Sequence, residues 1–259
     1  MPKALLYDAT TCIGCLECER GCAKQNNLPY TDSIEKQKKT SEFKYTYVAV
    51  KQDPAGEKYM RRLCMHCNEP TCVSACPVGA LVKTKLGPVT YDEDKCMGCR
   101  YCMVACPYGI PKYEWSKVLP RVQKCILCSD RVEAGKQTAC AEACPVGATI
   151  FGDRDELLLE AHKRIRENPS QYVNHVYGET EAGGGSVLML SSVPFEQFGF
   201  PNSSVLGPRP LPYLTADIIE HIPSVVSVGW AALGGVWWIT SRREAVAAAE
   251  KKLNEKEGK

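Results

Sequence analysis

The sequence predicts an α+β chain built on repeated cysteine units and ending in one apolar helix. Three observations carry that expectation. Sixteen cysteines fall into four groups of four. A unit Ala-Cys-Pro-x-Gly recurs three times, each copy followed by a short apolar stretch. Residues 222–240, IPSVVSVGWAALGGVWWIT, carry no formal charge.

Size and composition narrow the class. At 259 residues the chain holds one or two domains. With 44% hydrophobic and 24% charged residues it can bury a core, which excludes wholesale disorder. A net charge of +2 gives no reason to expect a nucleic-acid partner. The cysteines admit three readings: a disulfide scaffold, zinc sites or iron–sulfur clusters. Disulfide density serves small secreted domains that lack a core, and this chain is larger. No charged stretch leading into an apolar run, and no twin-arginine pair, stands before the first cysteine group. The expectation is a chain with no export signal of its own.

Spacing favours iron–sulfur chemistry. Cys12, Cys15, Cys18 and Cys22 read C-x2-C-x2-C-x3-C, as do Cys96, Cys99, Cys102 and Cys106. Cys64, Cys67, Cys72 and Cys76 read C-x2-C-x4-C-x3-C, and Cys125, Cys128, Cys140 and Cys144 read C-x2-C-x11-C-x3-C. Tetrahedral zinc usually takes two C-x2-C knuckles. Three close cysteines instead wrap three corners of a 4Fe–4S cube, and in two-cluster proteins the fourth ligates the other cube. Each repeat copy (Ala75–Ala80, Ala105–Ile110, Ala143–Ala148) predicts a helical turn stopped by proline, a glycine turn and a short strand such as Leu81-Val82 or Thr149-Ile150-Phe151. In group one Ala23 stands where the other groups have Pro77, Pro107 and Pro145.

Charge follows from the same reading. An oxidised four-thiolate cube carries about −2, so four of them would turn +2 into roughly −6. Arg61, Arg62, Lys95, Arg100, Arg121 and Lys124 flank the groups, as counter-charges or as solvated surface residues. His66, between Cys64 and Cys67, reads as a donor to sulfur or an exposed side chain rather than a ligand. His162 and His175 read as surface or packing histidines.

The four groups, with the widened second and the long gap in the fourth, resemble the four-cluster electron-transfer subunits of bacterial respiratory oxidoreductases. These accompany molybdopterin enzymes such as formate dehydrogenase and dimethyl sulfoxide reductase, and some membrane-bound nickel–iron hydrogenases. The pattern covers residues 12–145. The resemblance implies two pseudo-symmetric bacterial-ferredoxin-like modules, each holding two [4Fe–4S] clusters. Groups two and three would form one module, groups one and four the other. It implies one cube on Cys12, Cys15, Cys18 and Cys144, and its mate on Cys125, Cys128, Cys140 and Cys22. A third would use Cys96, Cys99, Cys102 and Cys76, and the fourth Cys64, Cys67, Cys72 and Cys106. Some relatives replace one cysteine and hold a 3Fe–4S cluster; here all sixteen are present, so four cubanes are expected.

With every cysteine used as a ligand, the chain reads as a wire with no catalytic residue of its own. It would link a catalytic subunit to an integral membrane quinone-reactive subunit. The run Tyr172–Glu179, YVNHVYGE, with Gly183-Gly184 and Val187-Leu188-Met189-Leu190, is similar to the formate dehydrogenase and hydrogenase members. Ser192-Val193-Pro194-Phe195 leans towards the hydrogenase-2 type, hence a nickel–iron catalytic partner and a haem-free membrane partner. The alternative is the beta subunit of a molybdenum or tungsten formate dehydrogenase, often paired with a cytochrome b.

Residues 1–152 are the expected four-cluster domain, with a β-rich insertion at 23–63. There Phe43–Lys51 alternates as a strand, and Tyr59–Leu63 returns as its partner after a turn at 53–56. Residues 153–216 are expected to be a helix and an extended wrapping segment. The helix is 154–167, with Asp153 as N-cap, Pro169 as stop, and Leu157, Leu158, Ala161 and Ile165 as its apolar face. The Gly-, Pro- and Ser-rich stretch after it is too long for a simple loop and is expected to wrap over a partner or the domain itself.

Residues 217–243 are the expected transmembrane anchor and 244–259 a polar helical tail. As a helix, 222–240 spans about 28 Å, close to a bilayer core. Trp237 and Trp238 fall where an aromatic belt would lie, and Ser227, Ala231 and Gly235 form a small-residue stripe that lets another helix approach. Three glycines and Pro223 keep the hydrophobicity moderate, which leaves a buried interface helix as the alternative. Asp217 and Glu220 precede the span; Arg242, Arg243, Lys251 and Lys252 follow it. Positive residues prefer the cytoplasm, so the cluster domain is expected outside, co-exported with a signal-bearing partner. A cytoplasmic cluster domain is the alternative. Two rivals from other classes are a soluble polyferredoxin, which needs no anchor, and a zinc-stabilised module, which has no redox chemistry.

Overall fold

The computed structural model describes residues 1–54, 56–118 and 120–257; Ala55 in the expected turn and residues 258–259 of the expected tail lie outside the described residues, as do the side chains of Asp217 and Lys252. The chain divides into two units, Met1–Pro212 and the segment from Tyr213 onward.

Short helices and hairpins alternate around the cysteines. Strand β1 (Lys3–Asp8) leads into group one, whose last two members sit on α1 (Glu17–Gln25). The insertion holds α2 (Asp32–Glu35) and the hairpin β2 (Tyr47–Asp53) and β3 (Gly56–Arg62). Helix α3 (Thr71–Ser74) carries Cys72, and the hairpin β4 (Leu81–Lys83) and β5 (Val89–Tyr91) leads to group three. Helix α4 (Tyr101–Ala105) carries Cys102, and β6 (Lys112–Tyr113) pairs with β7 (Val122–Gln123) before group four. Then come α5 (Ser129–Glu133), α6 (Ala139–Glu142), β8 (Thr149–Asp153) and α7 (Arg154–Glu167). Strand β9 (Val187–Leu190) and α8 (Ser203–Leu206) complete the first unit.

The repeat explains the alternation. Proline after the fourth cysteine ends each short helix because it has no N–H to continue it. The glycine two residues later then adopts φ +63, +61 and +65 at Gly79, Gly109 and Gly147. A β-carbon at any of these would meet nothing within 4 Å. Glycine is therefore needed for the left-handed turn itself, not for space.

Strand β1 is the centre of the three-stranded sheet, order β8-β1-β9. It runs antiparallel to β8, with Lys3 opposite Asp153, and parallel to β9, with Leu5 opposite Val187. Both its faces are covered. Ala4 and Leu6 join Leu157, Ala161 and Ile165 of α7, while Leu5 and Tyr7 face the core that contains the cysteines. That is why residues 4–7 read as a continuous apolar run and not as an alternation. Helix α1 packs on α6, and α3 on α4, so groups one and four meet, as do groups two and three.

Two expectations need correction. The insertion hairpin forms, but its first strand starts at Tyr47, not Phe43, because Ser41 and Lys44 close a separate bridge. The Lys44 ammonium turns inward to Glu19 at 2.7 Å and to three backbone carbonyls. Helix α7 has the expected bounds, yet Asp153 makes no capping bond; its carboxylate accepts from Lys3 Nζ at 2.9 Å across the sheet. The long Gly- and Pro-rich segment packs into the first unit itself. It supplies a sheet strand and an aromatic group of Tyr177, Phe195 and Phe200 with ring centroids 4.8 to 6.0 Å apart. It is pinned by His175, whose Nε2 lies 2.5 Å from the buried Glu181 Oε1, and by Ser203, whose hydroxyl donates to the same oxygen at 2.8 Å.

In the second unit, α9 (Tyr213–Glu257) is one 45-residue helix, about 67 Å long. It is apolar and long enough to cross a membrane, with a mean hydropathy of 1.5 in its best window. Pro223 sits inside it and removes one helical N–H; the Ser227 hydroxyl donates to the Pro223 carbonyl at 2.8 Å.

Stability of the 175–206 segment should depend on pH. The Glu181 carboxylate, with Glu179 and Glu196 nearby, holds the His175 imidazole above its ordinary 6.5. Its contribution is complete below pH 6.5 and is lost as pH rises through the raised value. Burial opposes Glu181 ionisation, but hydrogen bonds from His175 and Ser203 outweigh it and hold the carboxyl below 4.5; its contribution is lost as pH falls through that lowered value. Protection of the amides across 175–206, taken relative to their intrinsic base-catalysed exchange, should therefore be greatest between about pH 4.5 and 6.5 and should fall above that window. In His175→Gln that alkaline fall in protection should vanish.

Candidate metal centre

All sixteen thiols are free. The residue before the second cysteine is left-handed in every group: Gly14 at φ +69, His66 at +47, Gly98 at +75 and Leu127 at +54. In groups one and three another left-handed residue follows that cysteine, Leu16 and Arg100. Such backbone curls a loop so that successive N–H groups face one concavity, a shape suited to an anionic group. At a residue with a β-carbon it costs about 1–2 kcal/mol. His66 and Leu127 carry that strain because their loops have the same shape as the glycine-bearing ones. At Gly14 and Gly98 space is short as well. A β-carbon would lie 2.3 Å from the Tyr59 ring and 2.7 Å from Tyr113 Oη.

The Cys-Pro-x-Gly turn aims backbone donors at the fourth cysteine. Ala80 N–H donates to Cys76 Sγ at 3.2 Å. Burial works against the Cys76 thiolate, yet bonds from the N–H groups of Leu81, Val78, Ala80 and Gly79 outweigh it and hold the thiol below its usual range. Cys106 receives N–H bonds from Ile110, Tyr108 and Gly109, but burial wins there and pushes it up. Burial also pushes Cys18, Cys72 and Cys125 up to about 12 and Cys102 to about 11, with neighbouring thiolates adding to each.

The crowding is between groups. Cys22 stands beside Cys125, Cys140 and Cys128, and these four line a small cavity with Leu5, Arg61 and Thr138. Cys76 shares a second small cavity with Cys96, Cys99 and Cys102. Cys106 lies against Cys64, Cys67 and Cys72. Cys12 neighbours Cys18, and α1 sits so close to the turn before Cys144 that a β-carbon at Gly21 would come within 2.8 Å of Ala143 Cβ. Further thiols lie within electrostatic reach of each other across these sets: Cys18 and Cys140, Cys125 and Cys64, Cys72 and Cys102.

This donor set fits iron–sulfur groups. Buried thiolates at such density repel one another, and iron in the cavities would supply the missing positive charge. Among the described residues no three His, Cys, Asp or Glu side chains converge tightly enough for a single ion. The thiols stand round a space, as a cube of irons needs.

The six cations divide. Arg61 and Lys124 are buried; Lys124 Nζ donates to the carbonyls of Val89 and Cys125. Arg62 lies over the Phe200 ring at 4.0 Å. Lys95 pairs with Asp92 and Arg121 with Glu93 at the surface, and Arg100 lies over the rings of Tyr113 and Trp115. Lys83 escaped the sequence reading. It is half-buried, faces Cys67 and Cys64, and burial holds its ammonium down at about 8. Alternation with the buried Leu81 on β4 was the signal that could have found it.

His66 is wholly buried, which removes the exposed reading. Its Nδ1 accepts from Val89 N–H at 2.9 Å, so the proton is on Nε2, which has no partner among the described residues. Burial, then Lys124 and Lys83, hold the ring below its usual range and therefore neutral.

Residues 56–154 match the 4Fe-4S dicluster domain family. The chain is 41% identical over 257 residues to a protein of Nitratidesulfovibrio vulgaris, covering 95% of this chain and 69% of that one. It is 40% identical over 240 residues to the hydrogenase-2 operon protein HybA of Escherichia coli O157:H7, covering 76% and 72%. It is 34% identical over 200 residues to the iron-sulfur subunit of the nitrate-inducible formate dehydrogenase of Escherichia coli K12, covering 72% and 67%.

Gly98→Ala should break the third loop. It combines a left-handed φ of +75 with a 2.7 Å approach to Tyr113 Oη, which should cost about 1–3 kcal/mol. Iron per chain should fall, and unfolding should begin at a lower temperature. The control Gly79→Asn, in open space and with a residue that tolerates this backbone, should retain its iron.

Proposed function

The chain belongs to the family of iron–sulfur electron-transfer subunits of respiratory oxidoreductases, and from that premise we propose that it relays electrons through four [4Fe–4S] clusters in two pseudo-symmetric modules. The observation that carries this reading is the pair of cavities each lined by thiols of two groups, linked by thiols within electrostatic reach in a row: Cys18 to Cys140, Cys125 to Cys64, Cys72 to Cys102. In order along that row, Cys12, Cys15, Cys18 and Cys144 hold the first group. Cys125, Cys128, Cys140 and Cys22 hold the second, Cys64, Cys67, Cys72 and Cys106 the third, and Cys96, Cys99, Cys102 and Cys76 the fourth. The packing of α1 on α6 and of α3 on α4 supports the division into modules.

Bound there, the clusters supply one-electron redox chemistry at four successive stations. The chain's own residues do the rest. Leu5, Leu63, Met65 and Leu127 keep water from the thiols. The glycine turns present N–H groups to the fourth cysteines, and Arg61, Lys83 and Lys124 offset buried negative charge.

The leading catalytic partner is a nickel–iron hydrogenase, supported by the likeness to HybA over most of the chain. The likeness to formate dehydrogenase iron-sulfur subunits supports a molybdenum or tungsten formate dehydrogenase as the second reading. Helix α9 would anchor the chain and meet a quinone-reactive membrane subunit. Arg242 and Arg243, which follow the uncharged stretch 222–240 within α9, would place the C-terminus in the cytoplasm and the cluster unit outside.

Metal analysis of the complex extracted from membranes separates the partners. Nickel with a hydrogenase large subunit is the expected result, and molybdenum or tungsten would move the reading to the second partner. Cys144→Ser should damage the cluster of Cys12, Cys15 and Cys18 and spare that of Cys125, Cys128 and Cys140. Loss of the latter signal in electron paramagnetic resonance would refute the crossed pairing. A side chain at Gly235 meets nothing within the chain, so Gly235→Leu should keep its iron while losing the membrane subunit on purification. Undiminished co-purification would remove the small-residue stripe from the interface.

A further inference from the structure

Arg61 sits on β3 with 1% of its surface exposed, although an arginine so placed would ordinarily snorkel its head to water. Its Nε donates to Thr46 Oγ1 at 3.0 Å and its Nη1 to Thr149 Oγ1 at 3.3 Å. Both partners are neutral hydroxyls. No carboxylate among the described residues forms an ion pair with it. Glu19, the acid beside Cys18, is taken by Lys44 at 2.7 Å, by Val48 N–H at 2.7 Å and by the Tyr30 hydroxyl at 3.1 Å. A buried guanidinium without an anion is strongly unfavourable, so this site needs negative charge from elsewhere.

The thiols around it can supply that charge. Arg61 lines the cavity of Cys22, Cys125, Cys128 and Cys140. It also stands near Cys18 of the neighbouring set: Val48, its partner across the hairpin, donates its N–H to Glu19, the residue after Cys18, at 2.7 Å. Beside Cys67 stands a different cation, Lys83, whose Nζ donates to the His66 carbonyl at 2.8 Å. Arg61 therefore stands at the seam between two sets of ligands.

We propose that Arg61 is the shared counter-ion of the clusters held by Cys12, Cys15, Cys18 and Cys144 and by Cys125, Cys128, Cys140 and Cys22, setting both potentials together. The inference rests on the ligand sets given under Proposed function. Each one-electron reduction adds negative charge beside a fixed cation, so Arg61 favours the reduced form of both clusters. The two thresholds are tied because one charge serves both. Its hydroxyl partners come from residue 46, in the insertion, and from β8, so the insertion positions the charge as well as covering the core.

The test uses the full chain in its membrane-extracted complex, with iron content and redox titration followed by electron paramagnetic resonance. The unaltered complex is titrated first. If it lacks four clusters, or if Cys144→Ser refutes the crossed sets, the ligand assignment fails irrespective of Arg61. With that settled, Arg61→Gln should lower the reduced-to-oxidised ratio of the two named clusters at fixed potential by about tenfold or more, a shift of ~59 mV per tenfold. The other two should change less than about twofold. An iron-replete Arg61→Gln with unmoved midpoints, or with all four moved alike, overturns the proposal. If Arg61→Gln loses iron, Arg61→Lys decides, since it retains the charge and loses the planar fork. Reduced-to-oxidised ratios within about threefold of those of the unaltered complex support the counter-ion. A tenfold fall despite the retained charge overturns it. Iron loss in both variants assigns Arg61 to folding alone and also overturns it.

Discussion

The first unit depends on one pairing, that of β1 with β8. These strands are separated by most of the cysteine-bearing chain, and closing so long a loop carries a large entropic cost. The cost is met by a strand buried on both faces, flanked by β9 and covered by α7. Once β1 and β8 are in register, group one and group four lie at the same end of the sheet and α1 can pack on α6. A shift of one residue would turn Leu5 and Tyr7 from the cysteine core to the α7 side.

The second constraint is electrostatic. Sixteen cysteines in one small unit would be unstable as bare thiolates, and burial opposes the ionisation of eight of them outright. The fold answers with backbone N–H groups where proline and glycine shape a turn, with left-handed loops, and with buried cations where the chain can bring them. These devices differ in reach. A turn N–H acts on one sulfur; Arg61 acts on several. Local loops can therefore be repeated four times with little change while the cations Arg61, Lys83 and Lys124 differ from place to place.

The long C-terminal segment of the first unit joins both themes. Strand β9 seals the open edge of β1, and the aromatic group of Tyr177, Phe195 and Phe200 closes over the core beside Arg62. His175, Glu181 and Ser203 hold it by polar contacts that respond to pH. An electron-transfer chain needs water kept from its ligands along the whole row, and this segment does so on the side the hairpins leave open. Helix α9 adds the apolar length by which a subunit of this family can reside in a membrane.

Much of this protein was legible in its sequence, because the relevant signals are local. Cysteine spacing identified the chemistry, Pro and Gly after the fourth cysteines identified the turns, and alternation or periodicity located the insertion hairpin, α7 and the apolar helix. Each depends on residues a few positions apart, whose geometry the backbone itself dictates. The sequence could also mark Arg61, Lys95, Arg100, Arg121 and Lys124 as neighbours of cysteines, but not sort them. Arg61 and Lys124 are buried and the rest turn outward only because strands distant in the chain cover the first two. Likewise Val187–Leu190 looks like an apolar stretch in a loop-rich region until β1 offers it an edge, and Asp153 looks like a cap until Lys3 lies opposite. Burial, thiols within reach of each other and the fate of a charge are properties of the closed chain, and chain closure is what the tertiary structure alone decided.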